Sequence, residues 1–136
     1  MEPSCTDFVE NVCGGGTAMA TSAQLRREIL AGQWDEALCT LYGTEPAVLA
    51  RQRQRYAAAL EQFELYFGPG RQVQVYSAPG RAELGGNHTD HQHGHVLAAS
   101  INLDVIAVVA RREDTTIRVH SAVSYTHLRA HETCAD

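Results

Sequence analysis

From Ser22 onward apolar residues fall at helical spacing. Leu25, Ile29 and Leu30 share a face, with Ser22 placed to cap the N-terminus. Gly32 interrupts the pattern, which resumes at Trp34, Leu38 and Leu41 and ends at Gly43. Leu49, Tyr56, Leu60, Phe63 and Phe67 then recur at intervals of 7, 4, 3 and 4, which is one stripe of a longer helix. Thr44 is placed to cap that helix, Glu45 suits its first turn and Pro46 is tolerated there. Gly68-Pro69-Gly70 ends it. Arg51, Arg53 and Arg55 share no single face, because positions two apart diverge by about 200°. They are expected to be solvated rather than to form a phosphate patch.

After Gly70 the period changes to two. Val73 and Val75 alternate with Gln72 and Gln74, as in a half-buried strand, and Pro79-Gly80 is expected to bend the chain. Val96 to Val109 is mainly apolar and reads as one or two strands. Arg112 to Thr115 reads as a turn, with Ile117 and Val119 as the hairpin partner. Helices followed by strands point to an α/β or α+β arrangement. Residues 1–21 lack periodicity and include the triplet Gly14-Gly15-Gly16, so they read as a flexible lead.

The 136 residues include 11 arginines and no lysine, which excludes a Walker A loop and any Schiff-base lysine. The net charge of −5 argues against a nucleic-acid surface. No stretch is long and apolar enough to span a membrane, and the first residues do not resemble a secretory signal. Cys5, Cys13, Cys39 and Cys134 show no disulfide-like spacing and are expected as free thiols in a reducing, cytoplasmic compartment.

Candidate chemistry concentrates between Ser77 and His95, SAPGRAELGGNHTDHQHGH. Three readings apply. His88, Asp90, His91 and His93 are metal-ligand types, and His88-Thr89-Asp90-His91 matches half of a metallo-hydrolase pattern. The first histidine of that pattern would fall at Gly86. Alternatively, His91, His93 and His95 are ordinary loop residues. In the third reading the segment is a polar substrate loop. Arg81 offers a planar fork of donors, Gly85-Gly86 allows close backbone approach, and Asn87, His88 and Asp90 supply donors and acceptors at short spacing. A carboxylate suits two vicinal hydroxyls, because hydrogen bonds to a charged group are worth about 1.5–3 kcal/mol each.

Gly80-Arg81-Ala82-Glu83-Leu84-Gly85-Gly86-Asn87-His88-Thr89-Asp90-His91 resembles the galactokinase signature G-R-x-N-[LIV]-I-G-E-H-x-D-Y. Galactokinases are GHMP small-molecule kinases. The resemblance continues through Gly94-His95-Val96-Leu97 and Ala99 to Val105, and covers about residues 22–121. It implies the first strands of a truncated GHMP kinase N-terminal domain, of the ribosomal protein S5 domain 2-like fold, behind a helical lead. It also implies transfer of the ATP γ-phosphoryl group to galactose or a related sugar, with Mg2+. Arg81 would stabilise charge on the transferring phosphoryl group, and Asn87, His88, Thr89 and Asp90 would grip sugar hydroxyls.

Three positions depart from the pattern. Glu83 stands for Asn, Asn87 for Glu and His91 for Tyr, and Glu83 is a possible displaced carboxylate. The family's Gly/Ser-rich phosphate loop and catalytic aspartate are absent from these residues. The resemblance therefore implies an N-terminal fragment, inactive by itself, with residues 22–122 as a partial substrate-binding domain. Residues 123–136 look like translated sequencing-adapter sequence and are expected as a non-native tail. The other functions in view are a non-catalytic sugar-binding or regulatory protein of the same fold and a metal-dependent hydrolase.

Overall fold

A computed structural model describes residues 10–11, 20–86, 95–122 and 127–131. In chain order the elements are β1 (Glu10–Asn11), β2 (Ala20–Thr21), α1 (Ser22–Leu30), α2 (Asp35–Tyr42) and α3 (Pro46–Phe67). They are followed by β3 (Gln72–Gly85), β4 (Leu97–Val109), β5 (Thr116–His120) and β6 (His127–His131). The protein is thus an α+β arrangement with antiparallel strands.

The apolar stripes found in the sequence become buried except at Leu30, which is 52% exposed at the end of α1. Leu25 and Ile29 of α1, Leu38 of α2, and Tyr56, Leu60 and Phe63 of α3 close over Val73 and Val75 of β3. Trp34 and Tyr42 complete this core, and Ile106 and Val108 of β4 pack against its edge. Helix α1 is tied to α3 by the Ser22 hydroxyl, which donates to Glu64 Oε1 at 2.6 Å, and by Arg26 and Glu61 at 3.4 Å.

Two caps differ from expectation. Thr21, not Ser22, caps α1, accepting from the Gln24 backbone N–H at 3.3 Å. Ser22 is buried against α3, so its hydroxyl is already engaged. Helix α3 starts after Glu45 rather than Thr44, without a side-chain cap. Pro46 at its first turn removes one N–H that would otherwise need a partner.

Strand β3 is central and pairs with β1, β2 and β4; β1 and β4 both face Tyr76 and Ser77 and so lie along opposite edges. Pro79-Gly80 does not end the strand. It marks a register shift, because Pro79 pairs with Asp104 while Gly80 pairs with Ile101. Two β4 residues are therefore without counterparts. Pro79 has no N–H to give the ladder, and a Cβ on Gly80 would come to 3.0 Å from the Leu103 carbonyl oxygen. The expected pairing of Ile117 and Val119 with the apolar strand is also corrected. The long β4 is matched by the equally long β3, and β5 pairs instead with β6. None of the described helices is long and apolar enough to cross a membrane.

Candidate functional site

Beyond the register shift, the β3–β4 hairpin becomes an arm. It is formed by Gly80–Gly85 against Leu97–Ile101. Arg81 lies opposite Ser100, and Glu83 opposite Ala98. These two side chains stand at alternate positions of one strand and so share a face of the arm, where both are exposed. Among the described residues no carboxylate pairs with Arg81. Its five donors are open to an anionic or polyhydroxyl ligand.

The strands converge at Gly86 and His95. Gly86 has φ +84°, and a Cβ there would lie 2.1 Å from the His95 carbonyl oxygen. Only glycine fits this approach. Gly85, one residue earlier, has open space where its Cβ would be. Between Gly86 and His95 lie Asn87, His88, Thr89, Asp90, His91 and His93, and all six are outside the described residues. Of the expected site, the described structure therefore places Arg81 and Glu83 together. No group of three or more His, Cys, Asp or Glu suited to a metal occurs among the described residues, which leave out His88, Asp90, His91 and His93.

At the root of the arm is a polar cluster that the sequence reading missed. The Asp104 carboxylate accepts from Tyr42 Oη at 2.5 Å, Ser77 Oγ at 2.7 Å and Arg55 Nη1 at 2.6 Å. Arg55 Nη2 also donates to the Asp104 carbonyl at 2.9 Å, and the Tyr42 and Tyr56 hydroxyls lie 2.7 Å apart. This joins α2, α3, β3 and β4 at the residue that faces Pro79. Burial alone would raise the Asp104 pKa, but donation from Tyr42, Ser77 and Arg55 outweighs it and holds the carboxyl below its ordinary range. Burial raises the Tyr42 phenol, and its bond to Asp104 adds to the shift. Tyr56 is raised by burial and then by its bond to Tyr42. Both phenols therefore stay protonated as donors.

A signal for this cluster exists in the sequence. Asp104 is an acid in an apolar run, two residues from Ile106 and so on the same strand face, toward the helices. The arginines expected to be solvated are also corrected. Arg55 holds Asp104, and Arg53 makes a two-pronged contact with Asp35. Each finds a carboxylate from a different element, a pairing that helical spacing alone does not reveal.

The galactokinase galactose-binding signature matches residues 61–111, from the last turns of α3 through β3 and β4. Over this segment the chain is similar to the galactose-binding region of galactokinases. The galactokinase of Lactococcus lactis subsp. lactis (strain IL1403) is 35% identical over 65 residues, covering 48% of this chain and 16% of that protein. The Lactiplantibacillus plantarum galactokinase is 45% identical over 49 residues, covering 36% of this chain and 13% of that protein. The Bacillus subtilis (strain 168) galactokinase is 37% identical over 59 residues, covering 43% and 15%. The chain spans less than a fifth of the length of these curated relatives. No solved structure gives a significant match. The matched stretch includes Arg81, Glu83 and both residues that close the arm, Gly86 and His95.

Proposed function

We propose that residues 61–111 form the sugar-binding segment of a galactokinase-type kinase. The match of the galactose-binding signature to the arm bearing Arg81 carries this reading. In it Asp90 accepts from two vicinal sugar hydroxyls, and His88, Thr89 and Asn87 complete the grip. The neutral Asn87 brings two donors where the family pattern has an acceptor-only carboxylate, so the hydroxyl nearest it is held as an acceptor. Glu83 shares the arm's face with Arg81 and supplies a negative charge there.

The whole enzyme transfers the ATP γ-phosphoryl group to a hydroxyl of galactose or a related sugar. The sugar oxygen forms a bond to phosphorus, the bond to the ADP oxygen breaks and the hydroxyl proton is released. Arg81 stabilises the charge spread over the phosphoryl oxygens. Mg2+, in such kinases, neutralises phosphate charge. The described residues place one carboxylate, Glu83, on the arm's face with Arg81, which does not make a site for that ion. The fold in this reading is the start of a GHMP kinase N-terminal domain of the ribosomal protein S5 domain 2-like type, working in the cytoplasm.

A graft tests the reading. Residues 61–111 of this chain replace the matching segment of the Lactococcus lactis galactokinase, and galactose phosphorylation is measured. Retained activity is expected, with Asp90→Asn in the graft raising KM for galactose at least tenfold. A folded graft that binds ATP but does not phosphorylate galactose overturns the reading, and unchanged kinetics with Asp90→Asn removes Asp90 from the site.

A further inference from the structure

At the opposite end of β3 from Arg81, an open cleft of ≈ 720 Å³ is lined by Arg71, Gln72, Arg111, Arg112 and Glu113. Nine residues of extended strand, about 30 Å, separate Gln72 from Arg81. The sequence brings the arginines together through the hairpin. Arg71 immediately precedes β3, and Arg111 and Arg112 follow β4, whose last residue Val109 pairs with Gln74.

The three guanidinium groups are not equivalent. Arg112 is held by Asp114 through two bonds, at 2.7 and 2.5 Å, and its charge is balanced there. Arg71 Nη2 donates to the Arg111 carbonyl at 3.3 Å, which uses a donor without offsetting its charge. Among the described residues neither Arg71 nor Arg111 makes a salt bridge. Glu113 lines the same cleft, so the local excess is one positive charge in a chain of net charge −5.

We propose that this cleft binds a phosphoryl oxyanion. Arg71 and Arg111 are its charged donors, and the Gln72 amide is a neutral one. Guanidinium groups match phosphate oxygens in pairs, and Arg71 is already oriented by its bond to the Arg111 carbonyl. The volume is within the range of small-molecule sites, so the oxyanion can be free phosphate or the polyphosphate tail of a nucleotide. Glu113 opposes the ligand, which gives the site a signature of opposite signs. Removing an arginine weakens binding, and removing Glu113 strengthens it. The inference is independent of the sugar reading.

Titrations of the whole chain with inorganic phosphate and with ATP, followed by 1H–15N NMR at low ionic strength, test it. Saturable shifts at Arg71, Gln72 and Arg111 are expected. Arg71→Gln and Arg111→Gln are each expected to weaken binding about tenfold, the loss of one charge-assisted contact. Glu113→Gln should tighten it, and Arg51→Gln, exposed in the first turns of α3 at the far end of that helix from Arg71, should leave it unchanged. ATP binding tighter than phosphate identifies a nucleotide tail, and equal affinity identifies phosphate alone. Absence of saturable shifts with either probe overturns the proposal, as does binding that Arg71→Gln, Arg111→Gln and Arg51→Gln reduce alike.

Discussion

Asp104 concentrates more hydrogen bonding than any ordinary strand residue needs. Its side chain is 8% exposed and that of Arg55 is 35% exposed. Asp104→Ala would leave Arg55, Ser77 and Tyr42 without their acceptor, and a buried pair broken on one side loses about 3–5 kcal/mol. With Arg55 one-third open to water, a loss near the lower end, about 3 kcal/mol, is expected in urea unfolding. The pH dependence follows from the depressed carboxyl. Its stabilisation is complete above the ordinary carboxylate range, about pH 3.9, and is lost as pH falls through the lowered folded-state value. Asp104→Asn should therefore flatten the acid limb of the stability curve, and an unchanged acid limb would show that the carboxylate is not linked to folding. Gly86 makes a second residue-scale test. Gly86→Ala combines positive φ with a clash at the His95 carbonyl, whereas Gly85→Ala meets nothing. Amide exchange near the arm's tip should rise by at least tenfold in the first variant and stay near wild type in the second.

At the scale of elements, the helices were legible because their apolar residues recur at a period that only one face satisfies. Leu60 sits in the middle of the α3 stripe and is fully buried. Leu60→Ala should cost about 2–5 kcal/mol, while Leu65→Ala on the exposed face should be near neutral, as read by thermal unfolding. Strand positions were legible for the same reason, but their partners were not. Alternation at Ile117 and Val119 says that the segment is extended and nothing about which edge it joins. The break at Pro79-Gly80 was read as a bend, because Pro and Gly mark both turns and bulges. Only the facing strand, with its two extra residues before Asp104, distinguishes them. Of the candidate site, Arg81 and Glu83 were legible by residue type but not as neighbours on one face, because the segment read as a loop after a bend, and the Asp104 cluster depends on contacts across 49 and 62 positions of sequence.

At the scale of the whole molecule, the helices cover one face of the β3–β4 layer. The other face shows Leu103 at 71% and Val105 at 73% exposure, next to Val109. Among the described residues β4 pairs only with β3, so its outer edge adds open backbone groups to an apolar surface. Val105→Lys is expected to raise the soluble concentration of the chain without lowering its unfolding temperature. A fall in unfolding temperature would instead mean that Val105 is packed.

In the proposed function, the hairpin arm and the segment it carries hold a galactose-type sugar. Titration of the chain with galactose, followed by 1H–15N NMR, tests it most directly. Saturable shifts are expected at Arg81, Glu83, Gly86 and His95, none at Leu38 or Leu60 in the helical core, and the shifts should be lost in Asp90→Asn. Galactose that leaves the arm's resonances unmoved at saturating concentration, or shifts them equally in Asp90→Asn, would contradict it.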